Sequence, residues 1–161
     1  MSNQALNDLL EFHWMMDMLQ TVDVGIVVLN REFEVKVWNG FMEAHSGMLP
    51  SDVRDKSFFA LYPEINADWF KQKCKAVFEL RTRAFITWEQ RPYLFKFRNY
   101  RPITGTEPYM YQNISISALV SATGEVDNVC MMVYDMTDAA SAKKQLLALQ
   151  VAHAEQQELK Q

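Results

Sequence analysis

Two strand-like runs, a helical middle and three further strand-like runs follow one another along the chain. That order limits the folds open to it. "VGIVVLN" at 24–30 is β-branched, "EVKVWN" at 34–39 alternates apolar and polar residues, and the turn chemistry of "NREF" between them makes the pair a hairpin. Helical patterns follow. "GFMEAHSGML" forms a short helix stopped at Gly47, and "SDVRDKSFFALYPEI" reads as loop and helical turns with Ser51 as an N-cap and Pro63 as a break. "ADWFKQKCKAVFELR" at 67–81 is the central helix, with Phe70, Cys74, Val77 and Phe78 on one face. Three strand-like runs close the pattern: "AFITWEQRPYLFKF", "YMYQNISISALV" and "VDNVCMMVYDM". The last two are joined by "SATGEVD", where Gly124 can take positive φ. Strands gathered at both ends of a helical middle predict an α+β fold, a five-stranded antiparallel sheet with helices on one face.

Both ends of the chain read as helix. In 5–20, Ala5, Leu9, Phe12, Met16 and Leu19 make one apolar stripe, with Leu6, Leu10 and Trp14 beside it. A helix apolar on two sides packs against two things, its own domain and a partner subunit. At the other end, Thr137 or Asp138 caps a helix that has neither Gly nor Pro from Ala139 to Gln161. Ala142, Leu146, Leu149, His153 and Gln156 keep heptad spacing there, as does the neighbouring set Leu147, Val151, Ala154 and Glu158. A helix this short is marginal alone. The expectation is a homodimer through Leu9, Phe12 and Met16 of the first helix and Leu146 and Leu149 of the last, the alternative being a helix folded back on the sheet. The chain then divides into a flanking helix (1–20), a central α+β domain (21–137) and the start of a coiled coil (138–161).

The 161 residues suffice for one domain, and 49% hydrophobic with 22% charged residues is a globular balance. A net charge of −4 with mixed signs excludes nucleic acid as the main partner. The local exception, "LFKFRNYRP", alternates Lys96, Arg98 and Arg101 with Phe95, Phe97 and Tyr100, as a half-exposed strand does. No apolar run reaches the roughly 20 residues of a membrane span, and the acidic N-terminus is no signal peptide. Cys74 and Cys130 are far apart and read as buried free thiols, so a cytoplasmic location is expected. No GxSxG, P-loop, HExxH or dinucleotide loop occurs, and the three histidines lack metal-ligand spacing. No intrinsic enzymatic activity is expected, and no metal.

Over residues 20–138 the pattern resembles a PAS (Per-Arnt-Sim) domain. "VGIVVLNREFEVKVWN" is similar to the family's opening hairpin, with Asn39 where many members carry Asn before the first short helix. "GMLPSDVRDKSFFALYPE" is similar to the next stretch, except that Asp55-Lys56 replaces the usual Gly-Lys. "SATGEVDNVCMMVYDMTD" resembles the closing hairpin and its Asp-x-Thr junction, here Asp135 and Thr137. The wording of "DVGIVVLN…VWNGFMEAHSG" and "FITWEQRPYLF" is similar to PAS domains that precede GGDEF diguanylate cyclase domains in bacteria. The resemblance implies a regulatory sensor that passes a signal through its C-terminal helix to an output domain in cis, with cyclic-di-GMP as the product. It also implies that the junction couples the last strand to that helix.

A PAS pocket lies between the inner face of the sheet and the central helix. The resemblance places Gln112, Ile114 and Ile116 inward on one strand and Val129, Met131 and Val133 on the next. Phe70, Cys74 and Phe78 face them, and Trp38, Phe41, Phe59 and Trp88 form walls. Such a lining fits a small apolar metabolite, and it also fits a filled core serving a ligand-free dimerisation module. A photoactive flavin–cysteine motif is absent. Haem would need His45 or His13 as axial ligand, and a non-covalent flavin would stack on Trp88 and bond to Gln112.

Overall fold

The computed structural model describes residues 2–99 and 108–161. Helix α1 (Asn3–Thr21) is followed by strands β1 (Gly25–Asn30) and β2 (Val35–Trp38). Four helices come next, α2 (Gly40–Ser46), α3 (Pro50–Val53), α4 (Phe58–Leu61) and α5 (Ala67–Leu80). Strands β3 (Ala84–Ile86), β4 (Gln112–Val120) and β5 (Val126–Asp135) lead into α6 (Thr137–Leu159). The strands form one sheet in the order β2-β1-β5-β4-β3, with every neighbouring pair antiparallel. The first and last long strands therefore lie side by side at its centre.

Alternation decides the inner face. Val27, Leu29, Val35, Ile86, Ile114, Ile116, Val129, Met131 and Val133 are all buried in one cluster. Helix α5 covers them with Phe70, Cys74, Val77 and Phe78, the four residues its periodicity selects. Its cap, Asn66, accepts from Trp69 N at 3.0 Å. Gly47 ends α2 at φ 74°, and Gly124 turns the β4–β5 hairpin at φ 84°. On the opposite face Ile26, Val28 and Cys130 form a small second cluster with Leu19 of α1 against it.

Three sequence expectations change. The run "AFITWEQRPYLFKF" is strand only over Ala84–Ile86. Residues 88–90 turn instead, with Gln90 N and Arg91 N both bonded to Thr87 O, and Pro92 has no N–H to give a ladder. The in-out alternation survives without the strand: Phe95 and Phe97 are buried, while Lys96 and Arg98 are exposed. Tyr100 and Arg101 lie outside the described residues. Ser51 is not a cap, because α3 starts at Pro50, preceded by Leu49, whose N–H is taken by Asp52. Neither Thr137 nor Asp138 caps α6. The cap position is Met136, and the accepting side chain is Asp135.

Candidate functional site

The space between α5 and the sheet is occupied by aromatic rings. Phe58 and Phe70 lie 5.1 Å apart, Tyr62 and Phe95 4.9 Å, Phe95 and Phe97 5.3 Å, and Trp38 packs edge-on to Phe95 at 6.4 Å. Tilted and edge-to-face contacts of this kind stabilise beyond area burial alone. Trp38, Phe41, Phe70, Cys74, Phe78, Ile114 and Met131 belong to this cluster, and half-buried Phe59 packs against it. Burial pushes the Cys74 thiol up to about 12 and raises the Tyr62 hydroxyl likewise.

Two expected pocket residues have other work. Gln112 is buried, but its Oε1 accepts from Leu94 N and Phe95 N at 3.1 Å each, and its Nε2 donates to Phe95 O at 2.8 Å. The side chain stands in for the missing strand ladder and holds Phe95 in the core. Trp88 is half-buried outside the cluster, edge-on to Tyr111 at 5.7 Å.

The two haem candidates lie on different helices, His13 on α1 and His45 on α2. His45 stacks within 4.3 Å of Phe41 and 5.8 Å of Phe97, and burial lowers its pKa below 6.5, against the opposing pull of Asp135 and Asp23. His13 is exposed on α1 among Leu9, Leu10, Phe12 and Met16. No group of three or more potential metal ligands occurs among the described residues.

The polar chemistry sits where the terminal helices join the domain. Asn39 is fully buried. Its Nδ2 donates to Leu19 O of α1 at 2.9 Å and to Val24 O at 2.8 Å, and its Oδ1 accepts from Ile26 N at 2.9 Å and Met42 N at 3.4 Å. One amide thus ties α1, β1 and α2 together. Beside it, a Cβ on Gly40 would lie 2.1 Å from Gln20 O, so only glycine lets α1 approach.

At the other root, Asp135 Oδ1 accepts from Thr137 N at 3.0 Å and from Thr137 Oγ1 at 2.6 Å. The same hydroxyl accepts from Tyr111 N at 3.2 Å, and Met136 N donates to Tyr111 O at 2.7 Å. The strand–helix corner is therefore pinned to the residue before β4. Beyond it, Thr137 and Ala140 are the buried residues of α6. Leu146, Leu147, Leu149 and Val151 are exposed, so α6 does not fold back on the sheet. Leu9 and Phe12 of α1 are exposed as well, Met16 half so.

No protein-family model matches the sequence, and no curated protein does. Solved structures do match. A sensory box sensor histidine kinase from Vibrio cholerae is 22% identical, with a TM-score of 0.55, over 82% of this chain and 97% of that one. The PAS domain of an HTR-like protein from Haloarcula marismortui is 16% identical, with a TM-score of 0.58, over 83% and 99%. The PAS domain of a protein from Colwellia psychrerythraea is 12% identical, with a TM-score of 0.54, over 79% and 98%. The fold is that of PAS domains, an α+β sheet of five antiparallel strands with α2 to α5 on one face. No helix among the described residues is long and apolar enough to cross a membrane.

Proposed function

We propose that the chain is a regulatory PAS domain, not an enzyme in itself, that passes a change in its core through α6 to an output domain in cis. The observation that carries this reading is the exit helix. It is tied to the sheet at the Asp135–Thr137–Tyr111 corner, and past Ala140 it leaves the domain with Leu146, Leu147, Leu149 and Val151 uncovered. Exposed apolar residues at heptad spacing are satisfied by a second copy of the same helix, so the working form is a parallel homodimer in the cytoplasm. The resemblance of "VWNGFMEAHSG" and "FITWEQRPYLF" to cyclase-linked PAS domains supports a GGDEF diguanylate cyclase as the output and cyclic-di-GMP as the message.

The test is sedimentation of Leu146→Asp with Leu149→Asp. The double variant should shift toward monomer while the domain stays folded. An unchanged dimer would move the interface to α1, with Phe12 and Met16 as its centre.

The aromatic interior favours a second reading, a ligand-free dimerisation and interaction module. Aromatic rings lie against one another between α5 and the sheet, where a metabolite would bind. A metabolite that raises the melting temperature in proportion to its concentration would reject this reading. A panel without such a compound would favour it.

A further inference from the structure

The exit helix has a second attachment to the domain, away from the Asp135–Thr137 corner. Lys143 Nζ lies 2.8 Å from Glu89 Oε2 and 5.5 Å above the Trp88 ring. Lys144 bonds to the Tyr111 hydroxyl and stands 4.6 Å above that ring. Both contacts fall within the second turn of α6. Glu89 and Trp88 belong to the irregular stretch 87–98, which is held at scattered main-chain points, Gln112 N to Pro92 O and Met110 N to Phe97 O at 2.9 Å each, and between them by side chains. Trp88 N donates to Asn113 Oδ1 at 2.9 Å. Arg91 covers the Trp69 ring of α5 at 4.4 Å. Further along, Gln112 grips Leu94 and Phe95, and Phe95 contacts Trp38, Phe58, Tyr62 and Phe97 at the centre of the aromatic interior.

One segment thus touches the core at one end and α6 at the other. We infer that residues 87–98 relay the packing around Phe95 to α6, with Trp88 and Glu89 as positioning residues on the helix and Gln112 as the grip on the core. This path runs beside the sheet and its corner, and it rests on the reading of α6 as the output helix. The chemistry suits an adjustable contact. The Lys143–Glu89 pair is about half exposed and contributes little alone, as does one cation–π contact, so the helix is held by several weak bonds that a small shift of 87–91 can break.

Spatial continuity is not coupling, so the test is a double-mutant cycle. Amide hydrogen exchange is measured over 141–148 in the full chain, with the β4 amides as the reference for global opening. Trp88→Ala with Glu89→Gln should speed exchange of 141–148 about three- to tenfold, leaving β4 unchanged. Phe95→Leu should speed the same amides in the parent and add nothing in the Trp88→Ala/Glu89→Gln background. If Phe95→Leu also speeds β4, the volume-conserving Phe95→Met replaces it and decides. The relay is wrong if the core change acts equally in both backgrounds, or if Trp88→Ala/Glu89→Gln leaves α6 exchange untouched. The sedimentation test at Leu146 and Leu149 is independent. A monomeric parent defeats the output reading, whereas an intact dimer with uncoupled exchange defeats the relay alone.

Discussion

The two terminal helices are rooted in opposite ways. α1 is held by a fully buried amide, Asn39, and by backbone contact across Gly40. α6 is held by a half-buried carboxylate, the buried Thr137 hydroxyl and, one turn on, two lysines on the surface. Buried polar groups fix a geometry because every lost bond leaves an orphan in a dry site. Surface contacts exchange with water at little cost. The difference bears on the proposed roles: the last turn of α1 is tied by buried bonds, while α6 past Ala140 is held only by exposed contacts, so the proposed relay acts on α6. A relay needs one such end.

Substitutions can break this contrast, and the largest effect belongs at the α1 root. Asn39→Ala removes four hydrogen bonds and strands buried groups, including Ile26 N, so urea denaturation should show a loss of about 3–4 kcal/mol. Gly40→Ala forces a methyl toward Gln20 O. It should cost about 1–3 kcal/mol and raise exchange in the last turn of α1 while α6 stays as it was. Thr137→Val deletes the hydroxyl that joins Asp135 to Tyr111 N. A loss of about 1–2 kcal/mol is expected, restored by Thr137→Ser, with faster exchange confined to the start of α6. A loss from Thr137→Val as large as that from Asn39→Ala would erase the asymmetry.

The smallest effect sharpens the picture at His45, between the two roots. Burial lowers its folded pKa below the ordinary 6.5. The unfolded chain therefore takes up the proton first as pH falls. Stability should drop as pH passes down through 6.5 to the folded pKa and level off below it. His45→Gln should flatten that slope in urea titrations between pH 7 and 5, and a slope unchanged in the variant would assign it to another group.

Much of the frame is legible in the residues. The resemblance to PAS hairpins places Ile114, Ile116, Met131 and Val133 in the interior, and the helical period selects Phe70, Cys74, Val77 and Phe78. Asp135 and Thr137 announce the corner. The stretch after Ile86 reads as strand because the apolar alternation of "LFKF" is real, while its main chain is paired only at isolated points such as Met110 N to Phe97 O. Pro92 and the turn at Thr87 end the pairing, and Gln112 supplies the missing bonds from 17 and 18 residues away. A polar side chain at an inward strand position looks like a ligand contact, since its partner is main chain that no periodicity reveals. Asn39 shows the converse. Its family position is visible in the sequence, but its grip on Leu19 of α1 appears only in three dimensions. The Lys143–Glu89 contact leaves no local signal, because it joins residues 54 apart.

Cysteine cross-linking along α6 tests the central claim most directly. The native thiols do not interfere, since Cys74 and Cys130 are buried and burial raises both pKa values. Single cysteines placed from 142 to 156 and oxidised at low protein concentration should form dimers in a heptad rhythm. Yields should peak at 142, 146, 149 and 153 and fall on the opposite side of the helix. A flat profile, or no cross-linked dimer at Leu146 or Leu149, would contradict an exit helix that works as one half of a parallel pair.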